Sequence, residues 1–175
     1  MKLPLEIMGI FFVMRLFSLS FSIKNERRLK KEGAVEYGKF NSILMTVLHV
    51  LFYVASFSEA IIRHTVADRI TLIGIVLFIF GYVILLYVMF QLRDVWTVKL
   101  YIAKNHKINK SFLFKYIKHP NYFLNIIPEL IGIGLVCKAW YAIMIILPLY
   151  AIVLTVRIIQ EEKVMKQKFK LISIV

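Results

Sequence analysis

The residues best suited to chemistry lie in a polar stretch between two apolar segments, Tyr116–Tyr122. Pro120 cannot donate a backbone hydrogen bond, disfavours helical geometry at His119, and fits the first turn of a helix that begins near Asn121. This arrangement places an imidazole, an amide and a phenol at a helix N-terminus, where free N–H groups face outward. The corner could therefore hold a polar ligand beside lipid. The same pattern is also typical of a proline-initiated helix with ordinary interfacial residues.

The composition is that of an integral membrane protein. The 175 residues are 60% hydrophobic and their mean hydropathy is +0.75, so the chain has too few polar groups to cover its surface. The formal net charge of +13 falls almost entirely in loops and the tail, which indicates orientation in a bilayer rather than nucleic-acid binding. The single cysteine, Cys137, excludes internal disulfides and zinc sites built on several cysteines.

Apolar segments divide the chain and must position the polar stretch. Those near the length needed to cross about 30 Å of hydrocarbon are Leu3–Ile23, Ile43–Ile62, Ile70–Phe90, Asn121–Val136 and Trp140–Val156. The last two are short and only three residues separate them, which predicts an antiparallel hairpin. We therefore predict an all-α integral membrane protein with five transmembrane helices, the last two forming a short hairpin.

Ionisable residues inside the first and fourth segments need partners. Glu6 and Arg15 are nine positions apart, on nearly opposite sides of a helix, so we do not expect them to pair with each other. Arg15 either extends to the interface or points into the bundle. Glu129 lies in the middle of the fourth segment, where a carboxylate is by default a functional hypothesis. We place Glu129 behind the site as a supporting residue.

The second and third segments carry weaker signals. His49 is alone, and such a histidine is typically hydrogen-bonded to a neighbour rather than a ligand of a metal. Glu59 is four residues before Arg63 and can pair with it. Gly74 and Gly81 are seven residues apart on one helix face, which favours close packing of another helix.

The distribution of Lys and Arg predicts the topology. These residues number six in 24–41, two in 63–69, seven in 91–120, one at 138 and five from 157 onward. The alternation fits a multi-pass protein of the plasma membrane with its N-terminus outside and its C-terminus in the cytoplasm. It also brings His119, Tyr122, Arg157 and Glu161 to one membrane face, although they are far apart in sequence. Phosphate-binding, nucleotide-binding and metal-binding motifs are absent from the sequence, so we predict no metal site.

Several of these residues together resemble the isoprenylcysteine carboxyl methyltransferase family. The family signature has two histidines thirteen residues apart, the second in an Arg-His-Pro-x-Tyr motif, and ends with an arginine and a glutamate four residues apart. His106 and His119 have this spacing, His119-Pro120-Asn121-Tyr122 matches the motif, and Arg157 and Glu161 match the final pair. The resemblance implies a single membrane-embedded domain over 1–175, with N-terminal helices and a basic loop in 1–69 and a catalytic core in 70–170.

The resemblance also implies a cofactor, an acceptor and residue roles. Family members use S-adenosylmethionine to methylate lipophilic acceptors, so a cytoplasmic-face cofactor pocket is expected. Arg157 would face the acceptor, and Glu162 would support the site. The residues implied in binding S-adenosylmethionine are His106, Phe114, His119, Pro120, Asn121, Tyr122 and Glu161.

A bacterial branch of the family is the most similar. It has an early Asn-Glu-Arg-Arg-Leu-Lys segment, here Asn25–Lys30, and its members O-methylate alkylpyrones, lipids with an acidic ring hydroxyl. The chain departs from the wider family where Lys118 replaces the motif arginine and Phe114 replaces a tyrosine. Phe112 and Leu124 stand where glycines are usual. These departures fit an acceptor other than prenylcysteine.

Alternative interpretations stay open at the level of sequence. Arg157 and Glu161 could form an interfacial (i, i+4) salt bridge. The acceptor could be a prenylcysteine-like or other lipid acid. A small transport subunit would explain the five segments and Glu129, and a membrane anchor would explain the basic loops through attraction to anionic lipid.

Overall fold

The computed structural model describes residues 2–102, 113 and 116–172. Long helices dominate the described part of the chain. They are α1 (Lys2–Lys31), α2 (Lys39–Ile62), α3 (Arg69–Leu92), α4 (Asn121–Cys137) and α5, which runs through Ala142–Ile146 and Leu147–Ile172. The first turns of α4 and α5 are π-helical, and a 3-10 turn, Arg93–Val95, follows α3.

The helices have the length and surface of membrane-spanning elements. Among the described residues, four helices are long and apolar enough to cross a membrane, and α4 is a shorter apolar helix. Large apolar side chains such as Val76, Val83 and Ile152 are exposed on the outer faces, where lipid would contact them. The predicted all-α membrane fold is confirmed. The number of complete crossings stays a prediction, because α4 is short.

Glycines bring α3 and α4 into close contact. A Cβ atom on Gly74 would lie 2.6 Å from the carbonyl oxygen of Gly132, and one on Gly132 would lie 2.7 Å from the carbonyl oxygen of Gly74. Gly81 faces the backbone of Asn125 in the same way. The predicted glycine face of α3 is therefore confirmed, and it holds α4 at a fixed distance and register.

A short antiparallel sheet joins two segments that the sequence treats as loops. Strand β1 (Val35–Tyr37) pairs with β2 (Leu100–Ile102), with Glu36 opposite Tyr101. The first helix also continues well beyond Ile23, to Lys31. Residues 24–41, for which the sequence allows a charged loop or an interfacial helix, are thus mostly helix and strand, and the sheet places them beside the segment after α3, at the same end of the bundle.

Polar contacts close the opposite end of the bundle. Lys138 Nζ lies 2.6 Å from Asp68 Oδ2, and Thr65 Oγ1 donates to the carbonyl oxygen of Cys137. Glu59 pairs with Arg63 at 3.6 Å, as predicted, and also accepts the backbone N–H of Ala142 at the start of α5. Helix α4 thus ends, and α5 begins, at this end of the bundle, which confirms the antiparallel hairpin. The prediction that both of its helices are short is wrong for α5, because this helix continues past Val156 to Ile172 and is long enough to cross a membrane.

Candidate functional site

The His-Pro corner forms the start of α4 as predicted. Pro120 has φ −63°, and the carbonyl oxygen of His119 accepts the backbone N–H groups of Tyr122 and Phe123 at 3.1 and 3.2 Å. The π-helical turn that follows is a rare geometry, often found at functional sites. The rings of His119 and Tyr122 stack with centroids 5.7 Å apart. The corner therefore presents two aromatic faces, and the side chain of His119 is 8% exposed.

Carboxylates from α5 meet this corner. Tyr122 Oη donates to Glu161 Oε2 at 2.7 Å, and His119 Nδ1 lies 3.6 Å from Glu161 Oε1. On the other side of the imidazole, His119 Nε2 lies 3.4 Å from Glu162 Oε1, which also accepts from Lys118 Nζ at 2.7 Å. The start of α4 and the end of α5 therefore form one cluster, although about forty residues separate them in sequence.

The carboxylates change the ionisation of His119. Its contacts with Glu161 and Glu162 raise the pKa of the imidazole above its usual 6.5, and its partial burial opposes this only in part. The imidazolium therefore persists to a higher pH than that of an isolated histidine. While protonated, it offsets part of the negative charge of the two glutamates, and Lys118 pairs with Glu162 as well.

Arg157 lies one helical turn before Glu161 in a different environment. It is 2% exposed, and its guanidinium donates to three groups: Tyr122 Oη at 3.3 Å, Ser42 Oγ at 2.8 Å and the carbonyl oxygen of Val98 at 3.3 Å. All three acceptors are neutral. In the part of the chain that the structure describes, no carboxylate lies within ion-pair distance of this guanidinium. An anion that bound here would meet a buried positive charge that has no carboxylate in direct contact among the described residues, because Tyr122 stands between Arg157 and Glu161.

The (i, i+4) salt bridge considered for Arg157 and Glu161 does not form in the described structure. Tyr122 stands between the two side chains instead, accepting from Arg157 and donating to Glu161. The phenol therefore separates a positive subsite from a negative one. The two subsites can bind groups of opposite charge close together.

A cavity of about 120 Å³ joins the two subsites. Polar side chains from α4 and α5 face apolar ones from the end of α3 across this space. The lining residues are Val95–Thr97, Lys99–Tyr101, Lys118–Tyr122, Val88, Leu92, Arg157 and Glu161. His119, Pro120, Asn121, Tyr122, Arg157 and Glu161, all predicted from sequence, therefore line one space. Glu162 does not line the cavity but contacts His119, which does. His106 and Phe114 lie outside the described residues.

The N-terminal helix holds the far side of the cavity, which sequence analysis missed. Both amide hydrogens of buried Asn25 reach carbonyl oxygens of the segment after α3, those of Arg93 and Trp96, each at 2.8 Å. Ser22 Oγ accepts the backbone N–H of Val98. Segment 93–98 is therefore fixed by α1, and with it the carbonyl oxygen that contacts Arg157. The early Asn-Glu-Arg-Arg-Leu-Lys segment includes Asn25, but it carries only a resemblance and does not indicate these contacts.

A second layer of contacts holds the strand β2 in place. Tyr101 Oη donates to Glu36 Oε2 at 2.8 Å and lies 3.1 Å from Glu26 Oε1, which also accepts from Lys99 Nζ at 2.9 Å. Burial raises the pKa of the Tyr101 phenol, and its hydrogen bonds to the two carboxylates add to the effect. Tyr101 therefore stays protonated and continues to link α1 to both strands.

Glu129 has its partners elsewhere in the bundle. It is 2% exposed and forms an ion pair with Arg15, accepts a hydrogen bond from Tyr53 at 2.7 Å, and lies 3.6 Å from His49. Arg15 thus points into the bundle, the second of the two orientations considered for it. The contacts join α4 to α1 and α2. That Glu129 also orients a residue of the cavity stays a prediction.

Comparison with known proteins assigns the family. Residues 72–167, more than half of the chain, match the model of the isoprenylcysteine carboxyl methyltransferase (ICMT) family. The chain belongs to this family. The ICMT match covers α3, α4 and most of α5, so it includes every described residue of the predicted site. The general chemistry is therefore methyl transfer by a multi-pass membrane protein.

Relatives extend the similarity over nearly the whole chain. An uncharacterized protein of Haemophilus influenzae is 49% identical over 155 residues, which cover 89% of this chain and 90% of that protein. The uncharacterized protein YpbQ of Bacillus subtilis is 26% identical over 162 residues, covering 92% and 95%. No solved structure matches the chain. The N-terminal helices, which lie outside the ICMT match, are thus part of both similarities.

Proposed function

We propose that the protein is an S-adenosylmethionine-dependent O-methyltransferase that acts on a lipophilic acceptor at the membrane. The observation that supports this best is the cavity in which buried Arg157, without a carboxylate partner among the described residues, lies one hydrogen-bonded phenol away from Glu161. Such a pair of subsites suits an anionic acceptor beside a cationic methyl donor. Its position at the end of the apolar helices would allow a lipid tail to lie along their exposed apolar faces.

The residues present fit S-adenosylmethionine in their chemistry. Glu161 offers a carboxylate that can accept hydrogen bonds from ribose hydroxyls or an amino group. The ring of Tyr122, which is stacked on His119, offers an aromatic face that attracts a cation. The indole Nε1 of Trp96, buried at the cavity, has no partner among the described residues and can donate to a ligand. The bound cofactor would supply an electrophilic methyl group on sulfonium.

The side chains of this protein would align the reacting groups and exclude water from them, rather than act as an acid or a base. Methyl transfer from a sulfonium is an in-line displacement, whose rate depends strongly on the alignment of the reacting atoms. Arg157 would bind the anionic oxygen of the acceptor through the guanidinium N–H groups that are not already donated. Burial excludes water, which would otherwise weaken this attraction.

The best candidate acceptor is the ring hydroxyl of an alkylpyrone. This hydroxyl is acidic, so it reaches Arg157 as an oxyanion and needs no catalytic base, in keeping with a guanidinium whose described neighbours are neutral. The reason for choosing it is the early Asn-Glu-Arg-Arg-Leu-Lys segment, Asn25–Lys30, which resembles that of the alkylpyrone branch. A carboxylate on a prenylcysteine-like or other lipid is the second candidate, because a guanidinium binds a carboxylate equally well.

We further propose that the cavity opens on the cytoplasmic face of the plasma membrane. The basic segments 24–41 and 91–120 and the tail contain most of the Lys and Arg residues, and the described parts of all three lie at the end of the bundle where β1 pairs with β2. A cytoplasmic location of this end follows from the positive-inside rule. It would also give the site access to S-adenosylmethionine made in the cytoplasm.

Three variants test the assignment of roles. Arg157→Ala is expected to abolish methylation of the acceptor while the affinity for S-adenosylhomocysteine stays within a few-fold of the wild-type value. Glu161→Ala and His119→Ala are expected to weaken cofactor binding by about 1–3 kcal/mol each, because each loses a charge-assisted hydrogen bond. Calorimetry in detergent measures the affinities, and transfer of labelled methyl to a synthetic alkyl hydroxypyrone measures activity.

The test compares cofactor affinity in variants of the two residues that Tyr122 separates, Arg157 and Glu161. Equal losses of cofactor affinity in Arg157→Ala and Glu161→Ala would contradict separate subsites. Arg157→Lys serves as the second variant if Arg157→Ala does not fold, since it keeps the charge but loses the planar fork of donors.

A further inference from the structure

Arg157 is held by three different parts of the chain. Tyr122 belongs to α4, Val98 to the segment after α3, and Ser42 to the first turn of α2. Ser42 provides the shortest of the three hydrogen bonds, 2.8 Å from Nη1, and is 4% exposed. It lies outside residues 72–167, to which the family match extends. The N-terminal part of the chain therefore contributes directly to the surroundings of Arg157.

The direction of hydrogen bonding at Ser42 is fixed. Its hydroxyl donates to the carbonyl oxygen of Gly38 at 3.2 Å, which uses the only hydrogen on Oγ. The lone pairs of Oγ are then left to accept from Nη1 of Arg157 at 2.8 Å. Ser42 cannot exchange the two roles without losing one bond, so it fixes one corner of the guanidinium plane.

Helix α2 begins in firm contact with α5 on both sides of Arg157. Asn41 Nδ2 donates to the carbonyl oxygen of Val153, one turn before Arg157, at 3.1 Å. Gly38, with φ +60°, faces the side chain of Gln160, and a Cβ at this position would lie 3.1 Å from Gln160 Cδ and nearer still to the amide oxygen. The left-handed backbone favours glycine here. The first turn of α2 is thus placed accurately against Arg157.

We propose that Ser42 is a positioning residue of the acceptor site, which orients the guanidinium of Arg157 so that its undonated N–H groups face the cavity. The inference rests on the proposed function. A guanidinium has five N–H donors, and three are used in the described structure by Ser42, Tyr122 and Val98. Removing the Ser42 acceptor leaves Nη1 unpaired in a buried site, so the plane is free to turn away from the acceptor oxygen.

Ser42→Ala is the direct test, and Ser56→Ala is its matched control. Ser56 lies on the same helix and is 0% exposed, but its hydroxyl has no hydrogen-bond partner among the described residues. The two substitutions therefore remove the same atom, with and without a bond to Arg157. Ser42→Cys is the second variant should Ser42→Ala not fold, because a thiol keeps the size but is a weak acceptor.

The readouts are methyl-transfer rate against acceptor concentration and affinity for S-adenosylhomocysteine. A synthetic alkyl hydroxypyrone is the first acceptor, and a total lipid extract of the expressing cells is the second. We expect Ser42→Ala to raise the half-saturating acceptor concentration about tenfold, as loss of a hydrogen bond to a charged group predicts. The maximal rate should stay within about twofold. The affinity of Ser42→Ala for S-adenosylhomocysteine should equal that of the wild type, and Ser56→Ala should match the wild type in every readout. Ser42→Thr, which retains a hydroxyl, should recover most of the acceptor affinity.

Two results would overturn the proposal. One is equal acceptor saturation for Ser42→Ala and Ser56→Ala. The other is a loss of cofactor affinity in Ser42→Ala as large as the loss of acceptor affinity, which indicates a general structural role. Failure of the proposed function itself looks different, because the wild-type protein would then neither bind S-adenosylhomocysteine nor transfer methyl to either acceptor.

Discussion

Arg157 and Glu161 illustrate how much one helical turn changes the chemistry of a charged residue. Arg157 is buried and donates to neutral oxygens of three segments, whereas Glu161 accepts from Tyr122 and lies close to a histidine. Their spacing alone equally suits a surface salt bridge. The difference comes from tertiary contacts: α2 approaches Arg157, and the His-Pro corner approaches Glu161.

The stability of the protein should depend on the protonation of His119. Its folded-state pKa is raised by Glu161 and Glu162, so the stabilisation is complete below the ordinary value of 6.5 and is lost as the pH rises through the raised value. We expect the melting temperature in detergent to fall over this range above pH 6.5. In His119→Gln, this pH dependence should be reduced. An equal pH dependence in the wild type and in the variant would contradict the assignment.

Sequence predicted which residues lie together at one end of the bundle better than it predicted the residues that support them. His119, Tyr122, Arg157 and Glu161 carry recognisable types at recognisable spacings, and the structure brings all four together. Ser42, Asn25 and the carbonyl oxygen of Val98 could not be predicted. A serine at a helix start, a polar side chain near a basic segment and a backbone oxygen have no local pattern that indicates which distant residue they contact.

At the scale of elements, the packing of α3 against α4 depends on the absence of side chains. Gly132→Ala places a methyl group within 3 Å of the Gly74 carbonyl oxygen and of the Phe78 backbone nitrogen, neither of which can move without the helix. We expect a loss of about 1–3 kcal/mol in the free energy of unfolding. Gly9→Ala is the matched control, since nothing lies within 4 Å of a Cβ there.

Unfolding in mixed detergent, followed by circular dichroism, measures both glycine variants. The free energy of unfolding of the Gly9→Ala control should be unchanged or slightly higher, because alanine has a higher helix propensity than glycine. If the two variants were equally stable, close packing would not be the reason for glycine at position 132.

The ion pair between α1 and α4 is a second contact between elements that can be tested. Arg15→Met leaves the buried Glu129 with only Tyr53 and the nearby His49 as described polar neighbours, so we expect a loss of about 3–5 kcal/mol in stability. The double variant Arg15→Met/Glu129→Gln removes both charges and should recover part of the loss. A double variant as unstable as the single one would show that charge compensation is not what matters there.

Full activity of Glu129→Gln would discard any role for that carboxylate in the cavity.

The elements themselves were largely predictable, and their connections were not. Long apolar runs set the positions of α2, α3 and the hairpin because the bilayer fixes how many residues a span requires. The pair β1–β2 and the extension of α1 to Lys31 lie in polar, charged sequence. Their order depends on contacts such as Tyr101 with Glu36, which join residues more than sixty positions apart.

At the scale of the molecule, the two ends of the bundle differ in structure. One end is closed by Lys138–Asp68, Thr65 and Glu59. The other end has the cavity, the strands and most of the described basic residues. Membership of the family assigns methyl transfer to the whole. Under the proposed function, the N-terminal helices contribute to it, because α2 contacts Arg157 and α1 holds the segment whose carbonyl oxygen Arg157 binds.

The most direct test of the account is methyl transfer by the purified protein in lipid vesicles. Labelled S-adenosylmethionine is added outside, and the label is followed into an alkyl hydroxypyrone in the organic extract. We predict saturable transfer by the wild type and none by Arg157→Ala, with S-adenosylhomocysteine as a competitive inhibitor. Folded wild-type protein that neither binds S-adenosylhomocysteine nor labels any extractable lipid would contradict it.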